Sequence, residues 1–99
     1  MGTSTVEMDV PMAQDVRVSQ DTLTVDLSDG RSLSAPLAWY PRLSHATEAE
    51  RNRWRLIGKG EGIHWDDLDE DISVTNLLLG KPSGESQASF AEWLRQRTQ

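Results

Sequence analysis

The chain has 99 residues and a mass of 11.1 kDa, which suits one domain and leaves no room for a second core. Sixteen acidic against ten basic residues give a formal charge of −6 and a pI near 4.7, so autonomous binding to a phosphate backbone is disfavoured. Cysteine is absent, which excludes disulfides and thiolate zinc sites, and no apolar run approaches the ~18 residues of a membrane span.

Residues 1–14 are aperiodic and carry Pro11, and they read as a flexible tail. Met1 to Asp9 hold no basic residue and no apolar block, so a secretory signal is not expected and a cytoplasmic location is the default. The domain proper is expected over 15–82. It starts with Asp15 to Ser19, where Val16 and Val18 alternate with polar neighbours. A turn at Gln20-Asp21 leads into Thr22 to Leu27, with Leu23, Val25 and Leu27 on one face. Ser28-Asp29-Gly30 is a turn, and Arg31 to Ala35 returns with Leu33 and Ala35 inward. Three short strands with tight turns predict an antiparallel meander that needs a cover on its apolar face.

Pro36 and Pro41 exclude a long helix between them but allow a single turn. Leu37, Trp39, Tyr40 and Leu43 are expected to plug one end of the sheet. Thr47 and Glu50 have capping-box spacing, which predicts a helix through Ile57 with Gly58 as its C-terminal glycine. Ala49, Trp54, Leu56 and Ile57 would face inward. Ile63-His64-Trp65 reads as a short strand, and Ile72 to Val74 restores alternation. Ser73 can cap a short helix through Leu79, ended by Gly80 and Pro82. Residues 83–99 are a linker and a last helix from about Gln87 to Arg97, striped by Phe90, Trp93 and Leu94. The expected class is α+β: a three- to four-stranded antiparallel meander with short helices and a C-terminal helix.

None of the candidate motifs demands an enzyme. Gly58-Lys59-Gly60-Glu61-Gly62 lacks the strand-then-helix context of a phosphate loop, and Glu61 would repel a phosphate. Asp66 to Asp71 lacks calcium-loop register and reads first as a solvated turn, second as a docking patch for a basic protein. His45 and His64 have no partner histidine at metal-ligand spacing. His64 beside Asp66 or Asp67 is a conceivable acid–base pair, against the commoner case of a strand-end histidine packed near tryptophans. No catalytic residue, metal ligand or cofactor site is assigned. Four tryptophans, Trp39, Trp54, Trp65 and Trp93, suit a small core or an interface, with Trp54 and Trp65 expected inside and Trp93 at an interface.

Several segments resemble a known family. Trp39-Tyr40-Pro41-Arg42-Leu43, Ala46-Thr47, Arg51, Trp54 and Ile57-Gly58 are one group. Gly60 to Val74 is the most distinctive stretch, with Leu68-Asp69-Glu70-Asp71-Ile72-Ser73-Val74 followed by Leu77-Leu78 and Gly80. Together they resemble a small bacterial family, domain of unknown function 2442, over residues 15–82. Asp66 stands where proline is common in that family. The resemblance implies a small α+β domain and assigns no chemistry. It implies an antitoxin-like role, because members are often encoded beside a second small protein, and in some members a helix-turn-helix for regulation. After residue 82 this chain has room for one helix only.

The expected function is therefore a non-enzymatic protein-interaction module, antitoxin-like, that binds a small basic protein. Asp66, Asp67, Asp69, Phe90 and Trp93 are its candidate contacts. The alternative is a nucleic-acid-associated transcriptional regulator using Arg51, Arg53 and Arg55. A homodimer through Phe90, Trp93 and Leu94 is compatible with the same stripe.

Overall fold

A computed structural model describes residues 10–97. Six strands form two antiparallel meanders, ordered β1-β2-β3 and β4-β5-β6, and their inner faces contribute to one hydrophobic cluster. The α+β class is as expected, with the strands divided between two sheets. The sequence position of the expected tail, 1–14, lies mostly outside the described residues.

The first meander follows its alternation. β1 (Ala13–Val18) pairs with β2 (Thr22–Leu27), and β2 pairs with β3 (Ser32–Pro36). Leu23, Val25 and Leu27 are buried and their neighbours are half-buried. β1 begins two residues before the expected start because a bulge interrupts its register between Ala13 and Asp15. The bulge lets Ala13 and Val16, three residues apart, both face the core. Gly30, at φ 94°, closes the β2–β3 turn in a conformation that favours glycine.

The cover is two short turns. Leu37–Trp39 is one 3-10 turn, and α1 (Pro41–His45) starts on Pro41. Leu37, Tyr40 and Leu43 are buried, as the sequence suggested. The capping box also forms: the Thr47 amide donates to Glu50 Oε1 (2.9 Å), and the Glu50 amide donates to Thr47 Oγ1 (3.1 Å).

The helix after that box is a correction. α2 (Glu48–Arg51) is a single turn, and Trp54–Ile57 is strand β4. Ala49 is exposed. Two tertiary bonds hold the chain at that point. Trp65 Nε1 donates to the Arg51 carbonyl (3.1 Å), and Arg51 Nε donates to the Leu43 carbonyl at the end of α1 (2.9 Å). Beyond them Arg53, Arg55 and Ile57 alternate with Trp54 and Leu56, a period-2 pattern that fits a strand once β5 offers its edge. Gly58 therefore opens a hairpin and does not end a helix. Gly60, at φ 107°, sits against β1, and a Cβ there would lie 2.6 Å from the Ala13 carbonyl oxygen.

β5 (Gly62–Trp65) and β6 (Glu70–Ser73) complete the second meander. Their turn is pinned by Leu68, fully buried, and passes through Asp69 at φ 51°. Ser73 caps α3 (Val74–Leu78), with the Asn76 amide donating to its hydroxyl (3.0 Å). α4 spans Gln87–Arg97, the expected range. No helix among the described residues is long and apolar enough to cross a membrane.

Candidate functional site

The register of the second meander sorts its charges onto two faces. Arg55, His64 and Asp71 lie abreast across β4, β5 and β6, on the outer face. The next row, Trp54, Trp65 and Glu70, points the other way, toward the core. One face carries an ionic row; the opposite face buries a single carboxyl.

On the outer face the charges satisfy one another. His64 Nδ1 contacts Asp71 Oδ1 at 2.5 Å and His64 Nε2 contacts Asp66 Oδ1 at 3.0 Å. Both ring nitrogens are engaged by carboxylates, so His64 holds no nitrogen toward a substrate. Arg55 Nε donates to Asp66 (3.1 Å), and this bond is the main cause that holds the Asp66 carboxyl below its ordinary range. Arg53 Nε donates to Asp67 (2.6 Å). Arg51 donates to the carbonyls of Leu43 and Ser44, both at 2.9 Å. The three arginines expected on one helix are thus spread over the helical turn α2 (Arg51), the connection that follows it (Arg53) and strand β4 (Arg55). Each is bound to an acceptor within the chain. Asp69 is exposed, and its backbone carbonyl accepts from Arg42 Nη1 (3.3 Å). Among the described residues no three histidine or carboxylate side chains are grouped to hold a metal ion.

On the inner face Glu70 borders a recess of about 110 Å³ with Tyr40, Ser73, Asn76, Lys81 and Ser83. Tyr40 is 3% exposed and Glu70 8% exposed, while Asn76 and Lys81 are exposed. The Tyr40 hydroxyl is buried with no hydrogen-bond partner among the described residues. Burial raises the Glu70 carboxyl from 4.5 to about 7, assisted by the negative charges of Glu85, Asp71 and Asp69 and opposed by Arg42. Arg42 cannot swing fully to its aid. Its Nη2 is 2.6 Å from Glu85, its Nε also donates to Glu85, and its Nη1 donates to the Leu68 carbonyl (2.9 Å). Burial likewise raises the Tyr40 phenol.

The C-terminal helix is clasped to this side of the domain. Trp93 is 9% exposed, with the Arg42 guanidinium 5.4 Å and the Arg97 guanidinium 4.6 Å from its ring centroid. Phe90 stacks on Trp93 at 5.7 Å and meets His45 edge-on at 5.5 Å. Arg97 donates to both oxygens of Glu50 (2.9 and 3.0 Å), the first cause that lowers the Glu50 carboxyl to about 2. Trp93 and Phe90 therefore pack on their own chain, whereas Asp66, Asp67 and Asp69 face solvent.

A family profile described as "Protein of unknown function (DUF2442)" matches residues 13–83. This chain belongs to that family. No curated protein matches it. A crystal structure of a protein of unknown function from Rhodospirillum rubrum is similar at 26% identity and TM-score 0.68, covering 83% of this chain and 99% of that one. A solution structure of an uncharacterized protein from Chromobacterium violaceum shares the fold at TM-score 0.62 and 23% identity, covering 82% of this chain and 74% of that one. The DUF2442 match closes at residue 83, so the matched segment holds Glu70, Tyr40 and the ionic row but not α4.

The recess was not among the residues the sequence singled out. A signal for it was present: Glu70 has the parity of Ile72 and Val74, so extending that alternation two residues back turns Glu70 inward. The acidic neighbours of Glu70 mask the parity. The pairings of Arg42 with Glu85 and of Arg97 with Glu50 have no local signal, because their members lie 43 and 47 positions apart.

Proposed function

We propose that this DUF2442 chain is a non-enzymatic, antitoxin-like interaction module that binds a small basic protein. The observation that supports this reading most is the internal use of its arginines. Each arginine among the described residues has an acceptor within the chain, from Arg17 with Asp26 and Arg31 with Asp29 to Arg97 with Glu50. The formal charge of −6 then rests on a surface whose arginines are already paired. Such a surface attracts a basic partner and repels nucleic acid. The Asp66 to Asp71 segment is the contact of choice, because Asp66, Asp67, Asp69 and Asp71 are all exposed on one turn and strand.

The test begins with tagged protein purified from its own host and weighed intact by native mass spectrometry. A stoichiometric small basic protein is expected. Affinity of the recovered pair is then measured for the chain and for Asp66→Asn/Asp67→Asn/Asp69→Asn, in which asparagine tolerates the positive φ of residue 69. A loss of ~10-fold or more, with steep salt dependence, supports the patch. Unchanged affinity removes it, and purification of a monomer or homodimer alone removes the reading.

A further inference from the structure

We infer that the recess between Tyr40 and Glu70 is a socket for a primary ammonium group, supplied by a lysine side chain of the partner. This inference rests on the reading that the partner is a basic protein, and it names how one of its side chains is recognised.

Three observations converge on the socket. The first is an unsatisfied floor. The Tyr40 side chain is almost wholly enclosed, and its hydroxyl meets no acceptor or donor among the described residues. A buried hydroxyl left unpaired is costly, so a donor or acceptor brought to it by a small local shift would relieve it. The second is the sign of the field. Glu70, Asp69, Asp71 and Glu85 all act on this point, and the Arg42 guanidinium is committed to Glu85 and the Leu68 carbonyl. An anion is repelled there; a cation that donates hydrogen bonds relieves both the carboxyl and the phenol. The third is size and shape. A space of about 110 Å³ takes an ammonium with two or three methylenes, and its exposed rim at Asn76 and Lys81 leaves an approach from solvent. Ser73 and Ser83 line the same space, their hydroxyls accepting from the Asn76 and Glu85 amides.

The register explains why the socket is built into the fold. Glu70 stands in one row with Trp65, which is fully buried, so the strand itself holds the carboxyl inward. Tyr40 is fixed from the other side by the chain between the two prolines.

The socket is tested first without the partner. The full chain, carrying a 13C label on glutamate carboxyls and tyrosine rings, is titrated with n-butylammonium chloride and, separately, with tetramethylammonium chloride. A saturable shift at Glu70 and Tyr40 is expected with n-butylammonium, with a Kd in the range of ~1–20 mM. Tetramethylammonium, which has charge but no N–H donor, is expected to leave both signals unmoved. Glu70→Gln keeps the shape and is expected to abolish the response while the chain stays folded by circular dichroism. No saturable shift by ~100 mM, or equal responses to both cations, overturns the socket. A response that appears only in Lys81→Gln overturns it as well, because the chain's own ammonium then fills the space. In the recovered complex Glu70→Gln is expected to weaken binding by ~10-fold or more; unchanged affinity there overturns the lysine assignment even if the partner is real. A saturable amine response without any recovered partner removes the interaction reading and supports the ammonium site.

Discussion

The two meanders share a topology and differ in what their inner faces tolerate. Every inward position of β2 is apolar, and the charges of the first sheet, Arg17 with Asp26 and Arg31 with Asp29, lie outside. The second sheet places Glu70 in the inward row beside Trp65 and Trp54. A uniformly apolar face is a device for stability alone, whereas a carboxyl held on such a face lowers stability unless something meets it. The second meander, and not the first, carries the proposed site.

The largest expected effect probes what both sheets have in common. Trp65 is fully buried and also ties β5 to the end of α2 through its indole N–H. Trp65→Ala should destabilise the domain by about 3–5 kcal/mol, read from urea unfolding. A loss below about 1 kcal/mol would mean that the second meander does not share a core with the first.

Next comes the difference itself. The folded Glu70 carboxyl titrates at about 7 and its unfolded counterpart at 4.5, so folding takes up a proton between those values. Stability should therefore fall as pH rises from about 4.5 through 7, by on the order of 3 kcal/mol. Tyr40, Arg42, Asp69, Asp71, Lys81 and Glu85 surround the group and are unchanged in Glu70→Gln. That variant should flatten the slope and raise the unfolding midpoint at pH 8. An unaltered pH profile would show that the carboxyl is solvated.

Glu50 gives the opposite sign. Arg97 holds it at about 2, so its contribution is present above 4.5 and is lost as pH falls toward 2. Arg97→Met should cost about 1–2 kcal/mol and speed amide exchange in α4 before the sheets. Uniform exchange across the chain would argue that α4 and the sheets open together.

Removing the capping box by Thr47→Ala should cost about 1 kcal/mol. The smallest effect belongs to the first sheet: Arg17→Ala removes an exposed ion pair and should leave the midpoint where it is. A clear loss there would blur the line between scaffold and site.

The local patterns of β1, β2, β3, α3 and α4 were legible because each depends on neighbours in sequence. Alternating valines and leucines bury one face, Ser73 caps its own helix, and α4 has its range set by a polar linker and a long helical stretch. Of the acidic segment, the exposure of Asp66, Asp67 and Asp69 is legible from composition, whereas the burial of Glu70 is legible only from its strand parity.

What the sequence by itself determined is the class of the molecule: one acidic α+β domain with an antiparallel first sheet, two proline-bounded turns and a terminal helix. Tertiary structure alone decided that residues 54–57 are a strand, because β5 supplies a pairing edge that a capping box cannot foresee. It also decided that Trp93 lies between Arg42 and Arg97. The physical reason is range. Alternation and capping act over two to four residues, while ion pairs, cation–π contacts and sheet edges join residues whose meeting depends on the whole fold.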